Sequence, residues 1–302
     1  MYLGSCKSPM TERIIEIAEQ SAFLNLSNNL LSIRLKDGQT VTIPVGEVQC
    51  LILANPAVSI TGALMAALAE NGAVVVISGK DRLPVAMQLP IKGNYVQNER
   101  FRSQIAAKLP LKKRLWQSVI QEKIRRQGEL LKKLHGDDCG LLNLSEKVRS
   151  GDPDNIESRA AVIYWKNFWS GAFQRDREAD DSNILLNYGY AILRAITARA
   201  CCAAGLHPTI GINHHNRYNA YCLADDLMEP FRTVVDEAVY NLNPANEYIE
   251  ELTQDMRRML ISALQGKINT ANGMWKISDL IQKSAQQAAD SFQSGEMLLH
   301  YN

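Results

Sequence analysis

Near residue 95 the hydrophobic period of this sequence changes, and one packed layer cannot serve both sides of the change. Before it, "LLSIRL" and "TVTIPV" alternate apolar and polar residues around "KDGQ", an Asp-Gly turn signal, which predicts a β-hairpin. "VQCLILA", "AVVVIS" and "PVAMQL" predict further short strands, with a helix in "SITGALMAALAENG" capped by Ser59 or Thr61 and stopped at Gly72. After "LPIKGNY" strand signals almost vanish. Helical periodicity covers Glu99 to Leu134, Asn155 to Gln174, Asn183 to Ala204, Leu223 to Leu242, Glu247 to Gln265 and Ile277 to Phe292. The expected fold class is α+β: a small β-rich N-terminal domain, residues 1–95, followed by a larger all-α domain, residues 96–302. A chain of 302 residues suits two cores better than one.

Val48 to Ala69 carries no charge and imitates a membrane span, but Asn55-Pro56, Ser59 and Thr61 would leave polar groups unpaired in lipid. The segment is therefore expected to be a strand, a turn and a buried helix. Glu12, Arg13, Glu16 and Glu19 interrupt the start before any signal-peptide core develops. The six cysteines, Cys6, Cys50, Cys139, Cys201, Cys202 and Cys222, form no CxxC pair. Reduced, buried thiols in a cytoplasmic protein are expected.

Net charge is only +1, yet Lys108 to His135 holds nine Lys and Arg against two Glu. That local excess of +7 marks either a polyanion-facing surface, with Lys112, Lys113, Arg114, Arg125 and Arg126 as DNA-binding candidates, or a solvated face of an amphipathic helix.

The densest chemistry lies in "GINHHNRYNAYCLADDLMEPFR". Asp226 and Glu229, three residues apart, share one face of a helix expected to begin near Asp226. Their repulsion would be relieved by a cation, or they serve as N-terminal caps with Pro230 in the first turn. Asp225 is expected to face solvent. Glu157 offers a third carboxylate: Asp154 and Glu157 have capping-box spacing, but Ala160, Ala161 and Tyr164 put Glu157 on a buried face, where a carboxylate needs a partner. Two carboxylates and one histidine suit Mg²⁺ or Mn²⁺. Phosphate-loop, GxSxG and HExxH motifs are absent from the sequence.

With these residues in view, the whole chain resembles the CRISPR-associated integrases of spacer acquisition, the Cas one family. The most specific run is "GLHPTIGINHHNRYNAYCLADDLMEPFRTVVDEAV", with a Gly-x-x-His loop at Gly211 to His214 and an Asp-x-x-Glu start continuing to Phe231-Arg232. Length and the "DLMEPFR" spelling look most like members from type II systems. Ser158 stands where many relatives have glycine, and His215 has no counterpart. The resemblance implies a metal-dependent catalytic domain with Glu157, His214 and Glu229 as catalytic ligands of Mg²⁺ or Mn²⁺, and Asp226 as an auxiliary acid. Arg232 is expected to pair with an acid. It further implies insertion of short DNA duplexes into a CRISPR array by 3′-hydroxyl attack, a dimerising N-terminal domain, and a complex of two dimers around a small partner dimer, Cas two. Whether the type II effector nuclease takes part is left open. The rival readings are a divalent-metal nuclease of repair or recombination that uses water, and a non-catalytic DNA-binding scaffold whose acids are caps.

Overall fold

In the computed structural model, residues 12–80, 84–169, 173–176, 178–270 and 272–301 are described. They divide into two compact units, Met1–Ile91 and Lys92–Asn302. Cys6 lies outside the described residues.

The first unit contains two four-stranded sheets. One has the order β1 (Arg13–Ile17), β5 (Val48–Leu53), β7 (Val74–Ser78), β8 (Pro84–Gln88); the other has β4 (Thr40–Pro44), β3 (Leu30–Leu35), β2 (Ala22–Ser27), β6 (Ser59–Ile60). The expected hairpin is β3–β4, with Ser32 opposite Thr42 and Gly38 at φ +89° in its turn. Alternation alone did not reveal β2, which pairs with β3 through the turn at Asn28 and Asn29, both at positive φ. Both asparagines adopt the left-handed region that this type of tight turn demands. β1, β5 and β7 run parallel, and β5 is buried along its whole length, as a strand covered on both faces must be.

Helix α1 (Gly62–Glu70) starts at Thr61, whose side chain accepts from the Leu64 N–H, and Gly72 follows its end at φ +74°. Leu64 and Leu68 on α1 join Leu24, Leu31, Leu51 and Val75 from the two sheets in one core. The uncharged Val48 to Ala69 segment is thus a strand, a turn and a helix. Among the described residues, no helix is long and apolar enough to cross a membrane.

Among the described residues of the second unit, the only strands form one hairpin, β9 (Lys267–Thr270) with β10 (Gly273–Lys276), and the regular structure is otherwise helical. The predicted Glu99 to Leu134 helix is two helices, α2 (Gln97–Ala106) and α3 (Leu109–His135). Pro110 explains the break: it has no N–H to continue a helix and suits a first turn, so the chain restarts at Lys108. A short α4 (Leu141–Glu146) follows, packed where Gly128 of α3 brings the backbones together. A Cβ on Gly128 would sit 3.1 Å from the Leu141 Cβ.

α6 (Ser182–Ala203) matches its predicted segment and is largely buried, whereas α5 (Ile156–Phe168) stops short of the predicted end at Gln174, with Trp169 already extended. The predicted Leu223 to Leu242 helix is interrupted: α7 (Cys222–Met228) passes into a 3-10 turn at Glu229–Phe231 before α8 (Arg232–Leu242). Pro230 sits within that turn, where it removes one helical N–H donor. α9 (Gln254–Leu264) begins only at Thr253, which caps it, rather than at Glu247. α10 (Ile277–Ser294) ends at Gly295, φ +77°. α3 and α6 are the two long supports, and α7, α8 and α10 each contact both.

Candidate active site

The site is assembled from α3, α5, the 3-10 turn and the loop that precedes α7. Glu157 lies in the first turn of α5, but it does not cap that helix. Asp152 does, its two carboxylate oxygens accepting from the Ile156 and Glu157 N–H groups at 2.8 and 2.9 Å. Asp154 instead pairs with Arg149. The capping-box expectation for Asp154 and Glu157 therefore fails, because a residue two positions earlier already satisfies the exposed donors.

The Glu157 side chain is held by Lys123 of α3, whose Nζ donates to Oε1 at 2.7 Å. The same Nζ lies 2.8 Å from Oε2 of Glu229. Arg232 lies on the other side of Glu229, 2.9 Å from Oε1, as expected of an arginine one turn after an acid. Burial alone would raise the Glu229 carboxyl, but Arg232 and Lys123 outweigh it and bring the pKa down to about 2. Its Oε2 is buried and makes no well-directed hydrogen bond despite the nearby ammonium.

Asp226 has a different task from Glu229. It is fully buried within α7 rather than at a helix start, and its carboxylate accepts the backbone N–H groups of Ile212, Asn213 and His214 at 2.6, 3.0 and 3.2 Å. The His214 Nδ1 lies 2.6 Å from Oδ1 of the same carboxylate. The loop is thus wound around one anion. Gly211 is required for this: a Cβ there would stand 2.2 Å from the His214 carbonyl oxygen and 2.9 Å from Oδ2 of Asp226.

With Nδ1 donating to Asp226, the imidazole keeps Nε2 as its acceptor, the arrangement usual for a ligating or proton-accepting histidine. The His214 pKa is raised, first by that hydrogen bond and then by the negative charges of Asp226, Glu229 and Glu157, with partial burial opposing. The edge of its ring packs against Trp116 of α3, centroids 5.5 Å apart. Trp116 and Lys123, seven residues apart, present one face of α3 to the site.

Asp225 is buried, contrary to expectation, because Arg194 of α6 binds it at 2.6 and 3.2 Å and Asn219 donates to it at 2.7 Å. His215 is exposed. Glu157 and Glu229 meet at Lys123, while His214 is held beside Asp226. Among the described residues, no three His, Cys, Asp or Glu side chains stand close enough to hold an ion. The donor types nevertheless fit a hard divalent ion: two carboxylates, an oriented imidazole, a buried carboxylate oxygen without a hydrogen bond, and a cation already lying between the acids.

Lys123 was absent from the predicted site. The basic run hid it, although its spacing from the buried Trp116, Val119 and Ile120 is that of the inward face. Lys113 and Arg114 are exposed and Lys112 is half-exposed. Arg125 is paired with Glu122 and Glu129. Arg126 is only 8% exposed, bound to Glu122 at 2.6 Å and lying over the Phe231 ring, so burial removes it from any solvent-facing phosphate surface.

The same β-then-α architecture, over nearly the whole chain, is found in a casposase bound to integration product (TM-score 0.76, 19% identity, 95% of this chain and 92% of that one). It also occurs in a Cas6-RT-Cas1–Cas2 complex (TM-score 0.76, 18% identity, 98% of this chain and 36% of that one). The fold class is thus one shared by a casposase and by a chain of a Cas6-RT-Cas1–Cas2 complex. Within it the chain belongs to the Cas1 family: the model for "CRISPR associated protein Cas1" matches residues 15–265. A CRISPR-associated endonuclease Cas1 from Neisseria meningitidis serogroup C is 32% identical over 274 residues, 90% of this chain and 88% of that protein.

Proposed function

We propose that this chain is the integrase of CRISPR spacer acquisition, joining the 3′-hydroxyl of a short DNA duplex to a phosphodiester at the edge of a CRISPR repeat. Membership of the Cas1 family and the fold shared with a casposase support that reaction. The observation that carries the site assignment is the convergence of Glu157 and Glu229 on one cationic point, at 2.7 and 2.8 Å from the Lys123 Nζ.

In this reading Glu157, His214 and Glu229 would hold Mg²⁺ or Mn²⁺, which would supply charge stabilisation at the phosphodiester under attack. Asp226 fixes the His214 ring and its proton, and Arg232 holds one Glu229 oxygen so that the other faces Lys123. The attacking 3′-oxygen forms a P–O bond as the phosphodiester's own 3′-oxygen leaves, so phosphodiesters are exchanged and no covalent enzyme intermediate arises. The partners are double-stranded DNA, a second copy of the chain and the small Cas2 subunit, since both ends of a duplex must be joined. The type II subtype and a role for its effector nuclease belong to the same proposal.

A strand-transfer assay tests it. A duplex with 3′-hydroxyl ends, supercoiled plasmid bearing a repeat, Mn²⁺ and Cas2 should give joined product that disappears with Glu157→Ala, His214→Ala and Glu229→Ala. Cleavage without joining would instead identify a hydrolytic nuclease. Joining that survives Glu157→Ala would remove the site assignment.

A further inference from the structure

We propose that Lys123 is a tethered counter-ion, occupying the position between Glu157 and Glu229 that a divalent ion would take, so that ion and ammonium compete for the same two carboxylates. The inference rests on the metal-binding reading of these acids given above.

Geometry points to it first. The Lys123 ammonium bridges carboxylates from two separate elements, α5 and the 3-10 turn, and its side chain is only 13% exposed. The contact with Glu229, at 2.8 Å, is as close as that with Glu157, at 2.7 Å, so one ammonium serves both carboxylates.

Charge points the same way. Glu157 and Glu229 are balanced by Lys123 and Arg232, and the Asp226 carboxylate beside His214 adds one negative charge. Adding a divalent cation while both basic side chains stay would leave one uncompensated positive charge in a partly buried site. One cation must leave, and the two differ in which can. The Arg232 guanidinium lies over the Tyr190 ring at 4.6 Å and is held by Glu229. Lysine carries its charge on a flexible four-carbon stem and can swing away without unstacking from a ring.

Lys123 is then a positioning residue: it keeps two repelling carboxylates together in the ion-free chain and sets how tightly an ion is held. Binding of Mn²⁺ to the full chain, read from the free-ion EPR signal, tests this. Lys123→Met should tighten binding by about tenfold or more. Lys123→Arg, which keeps the charge on a stronger carboxylate binder, should weaken it by about threefold or more.

An unchanged or weaker affinity in a folded Lys123→Met, in a chain whose binding is abolished by Glu229→Gln, overturns the competition and leaves the metal site standing. Binding that persists in both Glu157→Gln and Glu229→Gln overturns the metal reading itself. If Lys123→Met folds only when Mn²⁺ is added, competition is supported. If it folds in neither condition, Lys123→Arg decides, and wild-type affinity there overturns the proposal.

Discussion

Asp226 and Glu229 are three residues apart and chemically alike, yet their surroundings push them in opposite directions. Burial raises Asp226 despite its bond to His214, whereas Arg232 and Lys123 overcome the burial of Glu229 and lower it to about 2. A carboxyl depressed on folding adds stability above its unfolded value and loses it as pH falls through the folded one. Glu229, at 4.5 unfolded and about 2 folded, should therefore withdraw about 3 kcal/mol from the ion-free protein as pH falls through that window. Chemical denaturation between pH 5 and 2 checks this, and Glu229→Gln should flatten that part of the curve. His214 carries the opposite sign: its raised pKa contributes stability below its unfolded value, lost as pH rises through the folded one. At this scale the sequence displayed the acids and the histidine but not the partners each one meets. Asp225 and Asp226 read alike on paper, and only the partners supplied by Arg194 and by the 212–214 backbone distinguish them.

Among the elements, α3 gathers the most roles. Its excess of positive charge suggested a surface for polyanions, but Lys123 is held in the site and Arg126 is buried on Glu122, while Arg125 and Lys133 form surface pairs with Glu122 and Glu237. Of the expected DNA-binding residues, Lys113 and Arg114 are exposed and Lys112 half-exposed, all near the start of the helix. Replacing Lys112, Lys113 and Arg114 together by alanine should make the slope of log affinity against log salt shallower by about 3, if each meets one phosphate. Arg126→Ala should leave that slope unchanged and lower the melting temperature, because it removes one of the two arginines that hold the buried Glu122 and the guanidinium that lies over the Phe231 ring. Fluorescence anisotropy across a salt series separates the two effects. Periodicity revealed the long helices, since each buries a continuous face. It missed α4, too short to show a period, and the β9–β10 hairpin, whose residues are mostly exposed or half-exposed and so lack an alternating pattern.

For the whole molecule, the order of β-rich and helical units was readable because a two-residue period and a 3.6-residue period cannot coexist in one layer. Where Glu157 meets Glu229 was not readable, because the approach is made by α3 and by a turn that Pro230 interrupts. The proposed reaction joins two ends and so should need two intact chains in one assembly. Mixing equal amounts of wild-type and Glu229→Gln protein before assembly should therefore reduce two-ended integration to about one quarter, while joining counted over all ends falls only to about half. Product sizing on sequencing gels distinguishes the two, and an equal fall in both would mean that one chain serves both ends. The loop wound around the Asp226 carboxylate has a consequence in descent as well. A side chain at 211 collides with the backbone that Asp226 gathers, and a neutral residue at 226 removes the reason for that tight path. The two positions should accordingly vary as a pair across relatives, with glycine kept wherever the acid is kept and released only in lineages that have rebuilt the histidine's seat.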